Sequence, residues 1–423
     1  MLNPPDTGFT RHAAATITRA SSQFKVVLVT GARQVGKTSL LRALAGPERG
    51  YVTLDDPLQL RLAQQDPALF LQSHRAPVLI DEVQYAPQLL PHLKMAADAT
   101  AQPGDWWLTG SQPFHLMHGV SESLAGRVAV LSLLGLSRRE TLRLPAPPPF
   151  APTPAWFDAM FSTPASPAGL GAAPPETMAS IFQRIWRGSY PALVAQPAMD
   201  RDLFYSSYVQ TYLQRDVRDL ANVGNLTSFL RFIRAAAART GQLLNIADLA
   251  RDADVSPNTG KHWLAVLEAS GVVHLVQPWH VNLTLRLIKR PKLYFNDTGL
   301  VAWLTQWSSP QTLEAGAMAG PIFETWVVGE ILKSRLNAGL QEPLFYFRNK
   351  DQREVDLLIP ADGLLHPVEI KKSANPGADA LAGIKSLHTM GVPLGTGAVV
   401  CMVQQPIPLL SQPQVLAWPA GLL

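Results

Sequence analysis

The segment from Val26 to Leu44, VVLVTGARQVGKTSLLRAL, constrains the fold of this chain more than any other feature. A β-branched apolar run leads directly into Gly31 to Thr38, which has the spacing G-x-x-x-x-G-K-T, and a helix-forming run follows. Strand, glycine-rich loop and helix in this order are the context that a phosphate-binding loop requires. Its backbone N–H groups point at phosphate oxygens, and the N-terminus of the helix adds partial positive charge. The sequence therefore predicts a parallel α/β domain that binds ATP.

The phosphate loop and one later serine supply the expected contacts with ATP. Lys37 would reach the β- and γ-phosphates and assist catalysis, while the hydroxyl of Thr38 would ligate Mg²⁺. The expected nucleotide-binding residues are Gly31, Ala32, Arg33, Gln34, Val35, Gly36, Lys37, Thr38, Ser39 and Ser111. ATP and Mg²⁺ are the cofactors that this set implies.

Two carboxylates follow a buried apolar strand in the segment Ala76-Pro-Val-Leu-Ile-Asp81-Glu82. This is the order of a Walker B element, since the segment comes after the phosphate loop and a second strand at residues 51–54. Asp81, at the carboxyl end of its strand, would hold Mg²⁺, and Glu82 would polarise the attacking water. A strand that ends in Asp-Glu by chance is the alternative, but the α/β pattern around it favours the catalytic interpretation.

Two further positions are candidates for contact with the γ-phosphate. The strand at residues 106–109 runs into Gly110, so Thr109 or Ser111 would contact the γ-phosphate or the attacking water; an ordinary turn at the strand end is the alternative. Arg127 precedes the next apolar strand and is expected to sense the γ-phosphate, in the same subunit or across an interface. The alternative for Arg127 is a surface arginine ahead of a strand.

The motifs up to Arg127 resemble those of a known family. The phosphate loop, TLDDP, LIDEVQ, LTGSQ and LAGR occur in the order found in AAA-type ATPases of bacteria and archaea that carry a C-terminal domain of unknown function. Residues 134–140, LGLSRRE, depart from that family at a proline but keep its arginine–glutamate pair. The resemblance implies an AAA-type P-loop ATPase domain over residues 1–144. The proline-rich residues 145–180 would be a flexible linker or an insertion.

Composition limits the rest of the chain only weakly. Its 423 residues, 47% of them apolar, are enough for about two to four domains with real cores. A formal charge of +4 permits contact with nucleic acid without demanding it. The single cysteine, Cys401, excludes an internal disulfide framework, and the sequence has no apolar run of about 18 residues. We therefore expect a cytoplasmic protein with no membrane contact.

Residues 181–240 have a helical pattern, and residues 241–290 predict a winged-helix-like module. In the second segment a short helix is followed by Ser256-Pro257, an N-cap with proline at the first helical position. A second helix and a strand come next, which is the order of a winged helix-turn-helix.

DNA contact by this module would need polar side chains on its second helix, and the sequence offers few. Those available to base edges or phosphates are Asn258, Lys261, His262, Arg286, Lys289, Arg290 and Lys292. A purely structural helical scaffold is the alternative.

The last segment, residues 291–423, resembles the restriction-endonuclease-like PD-(D/E)xK nucleases. Glu324 lies on a predicted helix, Asp356 on a strand, and Glu369 and Lys371 on the next strand, where alternation places them on one face. Asp356 and Glu369 would share Mg²⁺ or Mn²⁺, Lys371 would orient or deprotonate water, and Glu324 would complete the site. A half-buried hairpin with solvated charges is the alternative.

The predicted fold is α/β, with an N-terminal P-loop AAA-type parallel sheet and flanking helices, a helical and winged-helix middle, and a C-terminal α/β restriction-endonuclease-like domain. The predicted function is ATP binding and Mg²⁺-dependent hydrolysis coupled to a C-terminal DNA-binding or nuclease-like module. An ATP-gated DNA nuclease and a non-catalytic ATP switch for protein assembly are the alternatives. DNA, a protein partner and a second copy of the chain are the candidate partners besides ATP.

Overall fold

The protein is described here by a computed structural model that covers residues 8–99, 102–111, 123–162, 176–213, 226–280, 290–341, 343–411 and 413–423. Within these residues the strands form two sheets, one of five strands and one of nine. Helices cover both sheets. The predicted α/β fold class is confirmed.

The five-stranded sheet is entirely parallel, with the order β2-β3-β4-β1-β5. Its strands are β1 (Val26–Thr30), β2 (Gly50–Thr53), β3 (Val78–Asp81), β4 (Trp106–Gly110) and β5 (Val128–Ser132). All five residues of β1 are buried, as expected for a strand that has neighbours on both sides and helices on both faces. Parallel strands bring the loops at their carboxyl ends to one edge of the sheet, and this edge carries the phosphate loop.

Helices pack on both faces of the parallel sheet, so alternate residues of β1 enter different cores. Val27 and Val29 belong to one hydrophobic cluster, and Val26 and Leu28 belong to another. The helices of this part are α1 (Ala13–Ser21), α2 (Lys37–Leu44), α3 (Pro57–Gln65), α4 (Pro67–Ser73) and α5 (Leu89–Ala99), with a 3₁₀ turn at Val83–Tyr85.

The described part of the proline-rich segment is not the flexible linker that the sequence predicts. A short helix α6 (Arg138–Thr141) is followed by α7 (Pro154–Ser162). Trp156 is buried and packs edge-on against the ring of Trp418 near the end of the chain, at a centroid distance of 4.8 Å. Proline stops regular helix and strand hydrogen bonding, but it does not prevent neighbouring aromatic side chains from entering a core.

The middle of the chain is mainly helical, as predicted. Its helices are α8 (Met178–Arg187), α9 (Pro191–Ala195), α10 (Arg201–Tyr208), a π-helical turn Val209–Leu213, α11 (Leu226–Ala237), α12 (Ile246–Asp252) and α13 (Pro257–Ala269). Ser256 caps α13 by accepting a hydrogen bond from the backbone N–H of Thr259 at 3.1 Å. The helices α12 and α13 and the strand after them follow one another in the order that the sequence predicts, and the winged-helix assignment stays a prediction.

The nine-stranded sheet is mixed and crosses the predicted boundary at residue 290. Its order is β13-β14-β12-β11-β10-β9-β7-β8-β6. The strands are β6 (Gln242–Leu243), β7 (Val273–Pro278), β8 (Lys292–Phe295), β9 (Phe345–Arg348), β10 (Glu354–Ala361), β11 (Leu364–Ile370), β12 (Gly397–Cys401), β13 (Ile407–Ser411) and β14 (Gln414–Pro419). Because β7 pairs with both β8 and β9, residues 241–290 and 291–423 share one sheet. The other boundaries stay predictions.

The helix α16 connects the two sheets. The last helices are α14 (Thr298–Leu304), α15 (Pro310–Ala315), α16 (Ala319–Asn337) and α17 (Ala382–Thr389), with 3₁₀ turns at Ala378–Leu381 and Ala420–Leu422. On α16, Lys333 donates to the backbone oxygen of Leu136 at 3.0 Å, and Glu330 accepts from the backbone N–H of Arg138 at 2.7 Å. The segment just after β5 is therefore bonded directly to this helix. Among the described residues, none of the helices has the length and apolar character needed to cross a bilayer.

Candidate functional site

The phosphate loop has the backbone geometry that its two glycines permit. Gly31 has φ 144° and Gly36 has φ 92°, and a Cβ on Gly31 would lie 2.1 Å from the backbone oxygen of Leu133. Side chains other than hydrogen are therefore excluded at Gly31. The Lys37 ammonium donates to the loop's own carbonyl oxygens, at 3.1 Å to Gly31 and 3.0 Å to Ala32. The Lys37 ammonium is thus held inside the loop, and its contact with phosphate stays a prediction.

The two expected Mg²⁺ ligands lie side by side although they come from different elements. Thr38, at the start of α2, donates from its hydroxyl to Asp81 Oδ1 at 2.7 Å. Thr109 donates to the same oxygen at 2.5 Å, and Tyr51 donates to Asp81 Oδ2 at 3.2 Å. Burial, together with the Asp81 carboxylate, raises the pKa of Tyr51 to about 12. Hydroxyl and carboxylate oxygens are the donors that Mg²⁺ prefers, so this pair fits the ion.

Glu82 is held by hydrogen bonds with residues at the end of β4 and with one residue just after β3. Its backbone N–H donates to Thr109 Oγ1 at 2.9 Å, and its carboxylate accepts from Ser111 Oγ at 3.1 Å and from the amide of Gln84. Gln84 also donates to Ser111 Oγ at 2.9 Å. The structure therefore brings Glu82 and Ser111 together, and it adds Gln84, which our reading of the sequence missed. The available signal was a glutamine two residues after the Walker B glutamate.

The remaining loop residues have different surroundings. Ala32 and Val35 are buried, whereas Gln34 and Ser39 are exposed. The guanidinium of Arg33 donates to the Tyr85 hydroxyl at 3.2 Å.

Arg127 lies at the opposite edge of the sheet from the phosphate loop. Its backbone oxygen accepts from the N–H of Val26, at the beginning of β1, whereas the loop follows the end of β1. Five strand residues separate these edges by roughly 16 Å. The exposed Arg127 guanidinium pairs with Asp98 at 2.5 Å. Within one chain Arg127 does not join the loop residues, so contact with its own γ-phosphate would need a large rearrangement.

A buried arginine, Arg11, links the phosphate loop to the segment that follows β5 by hydrogen bonds. Arg11 donates to the backbone oxygens of Val35 and Leu134, both at 2.8 Å, and pairs with Glu140 at 3.1 Å. Burial acts to raise the pKa of Glu140, but Arg11 and the N–H groups of Ser137 and His12 outweigh it and hold that pKa below its ordinary value. The sequence signal for Glu140 was the Ser137-Arg-Arg-Glu140 capping box.

Two segments from beyond the parallel sheet lie against the phosphate loop. A Cβ on Gly271, between α13 and β7, would lie 3.1 Å from the backbone nitrogen of Ala32. A Cβ on Gly36 would lie 3.8 Å from the ring of Pro191, at the start of α9. The nucleotide loop is therefore in contact with the winged-helix-like segment and with the helical middle.

Two residues of the nuclease-like constellation, Glu324 and Asp356, are joined through a residue outside it, Lys292. The Lys292 ammonium is 2.9 Å from Glu324 Oε1, 2.5 Å from Glu354 Oε1 and 3.2 Å from Asp356 Oδ1. Lys292 is only 3% exposed, so the predicted contact of this residue with DNA phosphates is wrong. Burial and the nearby Asp356 raise the pKa of Glu324 to about 7.

Glu369 and Lys371 form the other half of this cluster. The register of β10 and β11 places Asp356 opposite Glu369, and the Lys371 ammonium is 2.5 Å from Glu369 Oε1. Burial and Asp356 raise the pKa of Glu369 to about 8. The second oxygen of Asp356 accepts the N–H of Ile370 at 2.9 Å. The Lys292 ammonium thus already occupies the place between Asp356 and Glu324 that a metal would take. Within the described residues, no group of three acidic, histidine or cysteine side chains is arranged to hold a metal. The expected Mg²⁺ or Mn²⁺ does not fit this arrangement.

The helix α13 presents a small polar surface. Asn258, Lys261 and His262 are exposed, and so is Arg290. Arg286 and Lys289 lie outside the described residues. DNA contact by this surface stays a prediction.

Three family descriptions match consecutive parts of the chain. Residues 23–142 match an AAA domain, residues 178–311 match a domain of unknown function (DUF8612), and residues 319–422 match a second domain of unknown function (DUF4143). The AAA domain and the C-terminal domain of unknown function are those that the sequence resemblance implied.

Curated relatives and solved structures extend these similarities. The uncharacterized proteins Mb2031c of Mycobacterium bovis and Rv2008c of Mycobacterium tuberculosis are each 32% identical over 371 residues, which is 86% of this chain and 74% of theirs. The Walker-type ATPase PABY2304 of Pyrococcus abyssi is 13% identical, with a TM-score of 0.42, over 69% of this chain and 94% of its own. A RuvB variant of Thermotoga maritima is 17% identical, with a TM-score of 0.28, over 62% of this chain and 85% of its own.

Proposed function

We propose that this chain, which belongs to the same family as the uncharacterized mycobacterial protein Rv2008c and carries an N-terminal AAA domain, binds ATP with Mg²⁺ and hydrolyses it. The observation that carries the proposal is the hydrogen bond between Thr38 and Asp81. It joins the end of the phosphate loop to the end of the Walker B strand, so the two Mg²⁺ ligands converge beside the catalytic glutamate.

The proposed roles follow from the contacts of each residue. Backbone N–H groups of residues 31–39 would bind the phosphates, and Lys37 would exchange its carbonyl contacts for the β- and γ-phosphate oxygens. Thr38 and Asp81 would hold Mg²⁺, which would neutralise charge on the phosphates. Glu82 would accept a proton from the attacking water as the γ-phosphorus bond to the leaving ADP oxygen breaks. Ser111 and Gln84 would keep the Glu82 carboxylate oriented.

The proposed hydrolysis is coupled to the C-terminal half through direct contacts. Gly271 lies against the loop, and Glu330 and Lys333 of α16 bond to residues just after β5. A change in the loop on nucleotide binding would therefore reach the helix that carries Glu324. The exposed face of α13, with Lys261 and His262, is the proposed surface for DNA phosphates.

The test is ATP turnover by Lys37→Ala against the wild type and Lys94→Ala. Lys94 is an exposed lysine on α5, so its substitution makes the same chemical change outside the site. We expect hydrolysis to be abolished in Lys37→Ala and unchanged in Lys94→Ala. Turnover of Lys37→Ala at the wild-type rate would remove this scheme.

An ATP-gated DNA nuclease is the second candidate, favoured by Asp356 lying opposite Glu369 with Lys371 beside it. It requires that Lys292 move away from Asp356. Cleavage of linear, supercoiled and single-stranded DNA with Mg²⁺ or Mn²⁺ would be compared between the wild type and Lys371→Ala. Cleavage that depends on Lys371 supports the nuclease, whereas intact DNA in the presence of active ATPase contradicts it.

A non-catalytic switch for assembly is the third candidate. Two measurements distinguish it from the DNA-linked functions. A switch would bind DNA weakly at every salt concentration, and its oligomeric state would change when ATP is added. We rank it below the first, because Glu82 is held by two hydrogen-bonding side chains beside the proposed Mg²⁺ ligands.

A further inference from the structure

The cluster of acidic residues in the nine-stranded sheet already contains a cation that belongs to the chain. Lys292 stands at the first position of β8, and its ammonium lies among three carboxylates from two elements: Glu324 of α16, and Glu354 and Asp356 of β10. The ammonium donates hydrogen bonds to Glu324 Oε1 at 2.9 Å and to Asp356 Oδ1 at 3.2 Å, and it forms an ion pair with Glu354 Oε1 at 2.5 Å. Three carboxylates therefore surround one positive charge.

The surroundings leave this ammonium little freedom to depart. Its side chain is 3% exposed, and a buried charge that loses its partners is strongly destabilising. Glu324 is held in addition by the Tyr294 hydroxyl at 2.6 Å, and Asp356 by the Ile370 N–H. The carboxylates are therefore arranged around Lys292 rather than left open.

A divalent metal at the same carboxylates would conflict with Lys292. A metal ligated by Asp356 and Glu324 would lie within a few ångströms of the ammonium, and the two like charges would repel each other in a site screened from water. The acidic side chains facing the cluster are Glu324, Glu354, Asp356 and Glu369, and the basic ones are Lys292, Arg348 and Lys371. The cluster is thus mostly neutralised before any ion is added.

We propose that Lys292 is the resident cation of this cluster, that it excludes divalent metal from the nuclease-like end, and that removing it would create a site for a hard divalent cation. Lys292 then has a positioning role: it ties Glu324 of α16 to β8 and β10 and so fixes the helix that also contacts the ATPase part. This inference does not depend on ATP hydrolysis.

The experiment is Mn²⁺ binding to nucleotide-free protein, followed by the loss of the electron paramagnetic resonance signal of free Mn²⁺. All proteins carry Asp81→Asn, which removes the proposed Mg²⁺ ligand at the end of β3, beside the phosphate loop. We expect no site in this parent below about 1 mM Mn²⁺, and one site bound at least about tenfold more tightly after Lys292→Met. Adding Asp356→Asn to Lys292→Met should abolish the gained site.

Lys292→Arg is the matched control, because it keeps a cation at the same position and should gain no site. Thermal unfolding gives a second measurement in case Lys292→Met is unstable: Mn²⁺ should raise the midpoint of Lys292→Met and leave that of the parent unchanged. Stoichiometric Mn²⁺ binding by the parent that Asp356→Asn removes would overturn the proposal. Failure of folded Lys292→Met to gain a site would overturn it as well.

Discussion

Glu82 adopts the left-handed backbone conformation, with φ 59°. For a residue other than glycine this conformation lowers the stability of the folded state by about 1–3 kcal/mol, so it persists only where surrounding contacts hold it. The enforcing contacts are the bond from its N–H to Thr109 and the bonds to its carboxylate from Ser111 and Gln84. The strained backbone turns the Glu82 side chain toward the carboxyl end of β4, next to Asp81.

Glu82→Gln tests the catalytic part of this arrangement. The amide keeps the size of the side chain but does not accept a proton from water, so we expect ATP affinity to be retained and turnover to fall about 10²- to 10⁴-fold. Turnover and the binding of a fluorescent ATP analogue measure the two effects separately. A variant that turns over ATP within threefold of the wild type would show that Glu82 is not the base.

Glu140 gives a prediction on pH. Its pKa is held below the ordinary value of a carboxyl group, so the ionised form stabilises the folded state. This stability is present above the unfolded pKa, near 4.3, and is lost as pH falls through the folded pKa. The free energy of unfolding lost in Glu140→Gln should therefore be largest near pH 6 to 7 and shrink below about pH 4. A difference that stays constant over this range in urea unfolding would contradict the ion pair with Arg11.

At the scale of elements, the turn between α13 and β7 determines how the winged-helix-like segment meets the phosphate loop. Gly271 has φ 68°, and its Cα faces the backbone nitrogen of Ala32. The backbone N–H of Ala32, which is proposed to bind phosphate, thus lies next to the turn that contains Gly271. Movement of either element would alter the other.

Gly271→Ala should lower both stability and ATP affinity. Its Cβ would lie 3.1 Å from the Ala32 nitrogen, in addition to the backbone cost of about 1–2 kcal/mol for a left-handed residue. Gly391→Ala is the control, because Gly391 has φ 71° and nothing within 4 Å of its Cβ position. We expect both variants to lose stability in denaturant titrations and only Gly271→Ala to bind ATP more weakly. Equal ATP affinities would indicate that the contact is unimportant.

Elements whose signals are local were predictable from the sequence. The strand β1 runs from Val26 to Thr30 as its apolar residues predict, and the Ser256 cap starts α13 where expected. The place of Arg127 could have been predicted, because Arg127 precedes β5 and a parallel β5 starts at the edge opposite the phosphate loop. Lys292 was assigned to solvent because its carboxylate partners come from a helix and a strand later in the chain.

At the scale of the whole molecule, the proline-rich segment is packed onto the end of the chain. Trp156 and Phe157 are buried and meet Trp418. Phe161 of the same helix also meets Trp418, at a centroid distance of 5.9 Å, but its side chain is 54% exposed. Composition predicted a flexible segment because proline content reports on backbone hydrogen bonding. The aromatic residues between the prolines favour burial instead, but the sequence alone does not show which residues they pack against.

Trp156→Ala should destabilise the whole chain. Loss of a buried tryptophan costs about 3–5 kcal/mol, and the cavity would open between α7 and β14. Phe161→Ala removes a ring of the same aromatic cluster that is 54% exposed, so it should cost much less. Urea unfolding combined with limited proteolysis measures this, with earlier cleavage near residues 145–162 expected in Trp156→Ala. Equal stability of the two variants would contradict packing of the segment.

The parallel pairing of β7 with β9 has a consequence for biosynthesis. After Pro278 has been synthesised, the edge of β7 that pairs with β9 stays unpaired until the ribosome has added the residues up to Arg348. At about 5–20 residues per second this takes roughly 4 to 14 seconds. An unpaired edge offers N–H and C=O groups to any other strand, including that of a neighbouring nascent chain. The translation rate between these residues therefore determines how long each nascent chain exposes an unpaired strand edge. Slow codons in this stretch would lengthen that time and lower the yield of folded protein.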